Sequence, residues 1–98
     1  MKQFSSADLK KLRGLAHHLN PVVWLGQQGI TEALVKATDE ALLSHELIKI
    51  KFVDHKDEVK ALAEELAQKT VAVVAGVIGH IAILYREHPE AEKRKIKV

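Results

Sequence analysis

The chain has 98 residues, 47% apolar and 29% charged, with a formal net charge of +2. That balance suits one folded domain rather than a disordered chain, and the length allows a modest core. Cysteine is absent, which excludes disulfides, thiol nucleophiles and zinc–thiolate sites.

The opening segment, Phe4-Ser5-Ser6-Ala7-Asp8, lacks the apolar stretch of a secretory signal. The longest apolar run, Val71 to Leu84, is interrupted by Gly76, Gly79 and His80 and is too short to cross a bilayer. A cytoplasmic protein with no membrane partner is expected. Charge is unevenly spread. Lys2, Lys10, Lys11 and Arg13 face only Asp8 in the first third, the middle is acidic, and Arg86, Lys93, Arg94, Lys95 and Lys97 make the end basic again. Basic ends around an acidic middle point to one anion-seeking surface.

Ser5 or Ser6 is placed to cap a first helix, with Ser5-x-x-Asp8 as a capping box. Leu9, Leu12, Leu15, Ala16 and Leu19 form its expected buried stripe, while Lys10, Arg13, Gly14 and His17 share another face. Asn20-Pro21 ends the helix, because a residue before proline is pushed out of the α region. Val22 to Leu25 reads as a short buried strand. A second helix is expected from Thr31 to Ser44, with Ile30, Leu34, Ala37, Thr38, Ala41 and Leu42 inward.

Ile48, Ile50 and Phe52 alternate with Lys49 and Lys51, the pattern of a strand with one covered face. Asp54 is the expected cap of a third helix, whose Val59, Leu62, Ala63, Leu66 and Ala67 fit the helical template. Thr70 to Ala75 is a β-branched run, Gly76 to Gly79 a turn or bulge, and His80 to Arg86 a last strand. The order is α-β-α-β-α-β-β. It predicts an α/β domain with a four-stranded mixed sheet, two parallel crossovers and a final hairpin. Two layers or three are possible, depending on the first helix. Residues 1–86 form this one domain, and residues 87–98 read as a charged, flexible tail with a weak helical tendency.

Gly26-Gln27-Gln28-Gly29 joins a strand to a helix that begins near Thr31. Two glycines there permit a sharp turn and close backbone approach, and a helix N-terminus offers unpaired N–H groups to an anion. A mere tight turn is the plainer reading of such a pair. The loop is no P-loop, since Lys-Ser or Lys-Thr does not follow, and no dinucleotide fingerprint, since a third glycine is missing. Gln27 and Gln28 donate and accept hydrogen bonds without adding charge. His17 and His18 are helical neighbours that point about 100° apart and cannot share a metal. The remaining histidines are scattered, so no metal site is expected. Glu64, Glu65, Asp57 and Glu58 read as a solvated helix face, and no nucleophile is paired with a base, so no enzyme is expected. Trp24, Phe52 and Tyr85 read as core residues.

Leu12-Arg13-Gly14-Leu15-Ala16-His17, Pro21, Gly26-Gln27-Gln28-Gly29-Ile30-Thr31, His45-Glu46-Leu47-Ile48-Lys49-Ile50-Lys51, Val77-Ile78-Gly79-His80 and Leu84-Tyr85-Arg86 occur in that order. Together they resemble the CRM domain, named for chloroplast RNA splicing and ribosome maturation, over about residues 5–86. A lone domain of this kind is similar to the bacterial YhbY-type members. The resemblance implies a fold like the C-terminal domain of bacterial translation initiation factor three. It also implies RNA binding, with bacterial members associated with precursors of the large ribosomal subunit and plant relatives with group II intron splicing. It carries an RNA-clamping role, like that of the KH loop, onto Gly26 to Gly29. Many members place a basic residue inside that loop where this chain has glutamines, so the charge falls to Lys10, Arg13 and the basic tail.

The expectation is therefore a monomeric, non-enzymatic protein that binds ribosomal RNA and needs no cofactor. Gly26, Gln27, Gln28, Gly29 and Thr31 would form its loop site, and Lys10, Arg13 and His17 its basic helix face. Lys49 and Lys51 are weaker candidates. The alternative is a protein–protein adaptor on ribosome precursors in which the loop is only a turn. A small-anion or nucleotide enzyme is a third reading.

Overall fold

The computed structural model describes residues 3–98, and Lys2 of the first basic cluster lies outside them. The first helix, α1, spans Ser6–Ala16 and starts on the expected box. Ser5 Oγ accepts the Asp8 N–H at 3.1 Å, and the Asp8 carboxylate accepts the Ser5 N–H at 3.0 Å. Strand β1 (Val23–Leu25) follows, then α2 (Glu32–His45), β2 (Leu47–Phe52), α3 (Val59–Thr70), β3 (Val73–Ile78) and β4 (Ile81–Tyr85). A short 3₁₀ turn, Ala91–Lys93, falls where the sequence shows its weak helical tendency.

The strands lie in the order β1-β2-β4-β3. β1 and β2 are parallel, joined through α2, whereas β4 runs antiparallel to both β2 and β3. β4 thus slots between the two ends of the second crossover, and the sheet is mixed as expected. Alternation along each strand assigns its two faces. Ile48, Ile50, Phe52, Ala82 and Leu84 pack with Val23 and Leu25 against α2 and α3. Leu47, Ala75, Ile83 and Tyr85 pack on the other face against Leu12 and Ala16 of α1. The domain therefore has three layers, with a single helix forming the third.

That single helix leaves part of its face uncovered, and several expectations change as a result. α1 covers β3, β4 and part of β2, so of its expected stripe only Leu12 and Ala16 are buried, while Leu15 and Leu19 stand 46% and 39% exposed. Trp24 is no core residue. It projects from edge strand β1 to the side opposite Val23 and Leu25 and is 55% exposed. Phe52 and Tyr85 are fully buried, as the sequence predicts.

Asp54 does not cap α3. Its carboxylate accepts the adjacent His55 N–H at 2.7 Å, and the helix begins only at Val59, where the apolar stripe first reaches the core. Gly76 is not a turn residue either. It continues β3 past a bulge between Val74 and Gly76, and the hairpin turns at Gly79, whose φ is +59°. Arg13 crosses Gly76 closely: a Cβ at position 76 would stand 2.5 Å from Arg13 Cδ, so a side chain there would make the arginine stem shift.

Segment 87–98 lies against the domain rather than extending away from it. Ile96 and Val98 pack on the cluster around Leu12 and Tyr85. The Glu46 carboxylate, buried at the C-terminal end of α2, accepts N–H groups from His88, Lys95 and Ile96.

Candidate functional site

The glycine loop is a closed turn in which the Gly29 N–H donates to the Gly26 carbonyl at 3.0 Å. Gly29 adopts φ +70°, a conformation costly to residues with a Cβ, whereas Gly26 meets no neighbour that a Cβ would touch. Gln27 and Gln28 are both exposed. Thr31 ends the loop as the N-cap of α2, its hydroxyl oxygen accepting the Leu34 N–H at 3.1 Å. That oxygen already serves the helix. Glu32 occupies the first turn and faces the positive helix end with its own carboxylate. An incoming anion here is met by amide hydrogen bonds more than by net charge.

His55 braces the loop from the other side. Its Nε2 lies 2.8 Å from the Gln27 carbonyl oxygen, which can only accept, so Nε2 carries the proton. This histidine has φ +52°, held by a turn that also ties its N–H to Asp54. The sequence treats His55 as one of several scattered histidines. No local spacing could reveal a contact formed between β1–α2 and β2–α3 connections.

Positive charge reaches the loop along β2. In the β1–β2 register Trp24 is the partner of Lys51, so both project to the α1 face of the sheet. Lys49, two residues earlier on the same face, donates through Nζ to the His17 carbonyl at 3.4 Å. His17, Lys49, Lys51 and Trp24 thus form a path from the end of α1 toward the glycine loop. The four strands contain no carboxylate. Lys49 and Lys51 consequently lie nearer the loop than the basic residues the sequence ranks above them.

Arg13 belongs to a different edge. Its stem crosses Gly76 and its Nη1 donates to the Ala75 carbonyl at 2.8 Å, on β3. β3 is three strands from β1, about 14 Å at ordinary strand spacing. Lys10, one helical turn before Arg13, is exposed. The basic segment near the C-terminus is also distant from the loop, because Glu46 anchors it at the start of β2 while the loop adjoins that strand's end. Lys93 pairs with Glu90 and Arg94 with Glu87. His17 and His18 stack edge to face at 5.2 Å. Among the described residues no group of three potential ligands could hold a metal ion, and no helix is long and apolar enough to cross a membrane.

The family model for the CRS1 / YhbY (CRM) domain matches residues 4–86. The chain belongs to the CRM domain family. It is 43% identical over 93 residues to a Haemophilus influenzae protein named RNA-binding protein, covering 94% of both chains. It is 34% identical to a Pseudomonas aeruginosa protein named a probable RNA-binding protein, covering 86% of this chain and 82% of that one. A solution structure from Staphylococcus aureus superposes with a TM-score of 0.81 at 32% identity, over 97% of this chain and 100% of that chain. The three-layer arrangement with its mixed four-stranded sheet is thus a CRM-domain fold.

Trp24 and His55 are the two site neighbours that the sequence does not single out. For Trp24 alternation says only that its side chain lies on the sheet face opposite Val23 and Leu25, not that this face is open. For His55 there is no signal, since its role arises from tertiary contact.

Proposed function

We propose that this chain is a non-enzymatic RNA-binding protein acting on ribosomal RNA during large-subunit assembly. The observation that carries the reading is the pair of cations Lys49 and Lys51, which runs from the His17 carbonyl at the end of α1 to a braced glycine loop at the N-terminus of α2. Phosphates need donors and positive charge, and the loop supplies the first while the sheet face supplies the second. Gly26 and Gly29 would admit the RNA backbone, Gln27 and Gln28 would hydrogen-bond to it, and Lys10 would extend the contact. Arg13 acts chiefly through its bond to β3. CRM-family membership, and relatives named as RNA-binding proteins, support RNA as the partner.

The exposed Leu15, Leu19 and Val22 favour a second reading, an adaptor for a protein partner. One substitution separates the two. Gln28→Glu keeps shape and adds a negative charge at an exposed position, so its fold should be unchanged. Affinity for structured ribosomal RNA, measured by gel shift, should fall about tenfold through phosphate repulsion. Unaltered affinity in a folded variant would remove the loop from the interface.

A further inference from the structure

Trp24 has no structural duty that explains it. The flanking Val23 and Leu25 supply the core contacts of β1, while the indole stands 55% exposed. Among the described residues no ring or hydrogen-bonding group pairs with it. Trp24 instead lines a shallow depression of about 440 Å³ together with the loop residues Gly26, Gln27, Gln28 and Gly29, and with Thr31, Ala33 and Leu34 at the start of α2. Lys51 lies beside it in register.

We infer that Trp24 stacks on an unpaired base whose own backbone is held by the glycine loop, so that the protein selects single-stranded segments of RNA. This rests on the RNA-binding reading above and adds the class of RNA. Two residue steps of extended chain set Trp24 about 7 Å from Gly26, comparable to the reach of one nucleotide from phosphate to base. Charge complementarity names the occupant: Lys51 suits the neighbouring phosphate, and the strands offer no carboxylate to repel it. A duplex keeps its base faces stacked inside and leaves the indole nothing to cover. An aromatic face beside a cationic groove is the arrangement by which single strands are bound without regard to sequence.

Trp24 is the sole tryptophan, so its emission reports on this site alone. The intact chain is titrated at low salt with fluorescein-labelled oligoadenylate, and separately with a labelled RNA duplex, while anisotropy and tryptophan emission are both read. Oligoadenylate should quench the emission in step with the rise in anisotropy, and the duplex should not. Trp24→Ala should weaken oligoadenylate binding about tenfold or more and change duplex binding less than about twofold, with Trp24→Phe restoring most of the loss. Should Trp24→Ala prove misfolded by circular dichroism, the emission of the native chain decides. Binding of oligoadenylate with unaltered emission would overturn the stacking inference, leaving RNA binding intact and the indole free for a protein partner. No anisotropy change with either RNA would overturn both readings.

Discussion

Tyr85 is fully buried, and among the described residues its hydroxyl has no hydrogen-bond partner. Its ring is held edge to face against Phe4 at 5.5 Å, so the aromatic body fixes the residue while the polar tip is left unpaired. Burial, followed by the nearby carboxylates of Glu46 and Glu87, pushes the phenol up to about 12 from its ordinary 10.0. The unfolded chain loses this proton near 10.0 while the folded chain keeps it, so stability is full below that pH and falls as pH rises toward about 12. Tyr85→Phe should abolish that part of the alkaline loss. At neutral pH it should change stability by less than about 1 kcal/mol, since the hydroxyl removed was unpaired. Urea unfolding of both chains at neutral pH and across the alkaline window checks this. An equal alkaline loss in the variant would exclude Tyr85 as its source. The burial of Tyr85 is legible in the sequence, because its strand is apolar throughout. The exposure of Trp24 is less so, because a four-residue apolar run does not say which of its faces meets a helix.

Among the elements, the segment after β4 departs furthest from its sequence reading. Charge dominates residues 87–98, and two apolar side chains, Ile96 and Val98, are too few to announce a packed face. Glu46 decides the matter. It sits at the C-terminal end of α2 with φ +63°, a strained conformation for a residue with a side chain, and aims its carboxylate at backbone N–H groups of His88, Lys95 and Ile96. Lys11 adds a bond from α1 to the Lys97 carbonyl at 2.6 Å. Glu46→Ala should release the segment and cost about 1.5–3 kcal/mol, the usual range for hydrogen bonds to a charged group. Amide hydrogen exchange should rise sharply over residues 88–98 and remain slow in β2 and β4. Retained protection of Lys95 and Ile96 would show that side-chain packing alone holds the segment. The sequence reads Glu46 only as the start of the strand Glu46 to Val53 and as part of a family motif. Its partners lie more than forty residues away, beyond any periodicity.

At the scale of the whole molecule, three helices on a four-stranded sheet could have been arranged two ways, and the choice sets which sheet face is open for the proposed binding surface. α1 covers only one flank of its sheet face. The other flank carries Trp24, Lys49 and Lys51, and the glycine loop sits at its end. RNA held there should show a steep salt dependence, with log affinity falling by about 0.7 per phosphate contact against log salt for a single strand. Lys51→Ala should lower that slope by nearly one contact, whereas Lys93→Ala, on a residue paired with Glu90 far from the loop, should leave it unchanged. Binding measured across a salt series tests both. Equal slopes for all three chains would move the interface elsewhere.

The sequence by itself determined the elements, their order and the mixed sheet, because apolar periodicity and capping are written in neighbouring residues. It also determined the glycine loop at the N-terminus of α2 and, through ordered motifs, the CRM family. Only the tertiary structure decided the three layers, the docking of segment 87–98, the anchoring of Arg13 over Gly76, and the brace from His55. Each depends on contacts between residues far apart in the chain, and on which flank a single helix leaves open. Local spacing fixes the direction of a side chain relative to its own strand or helix. What that side chain meets is settled only when the layers close.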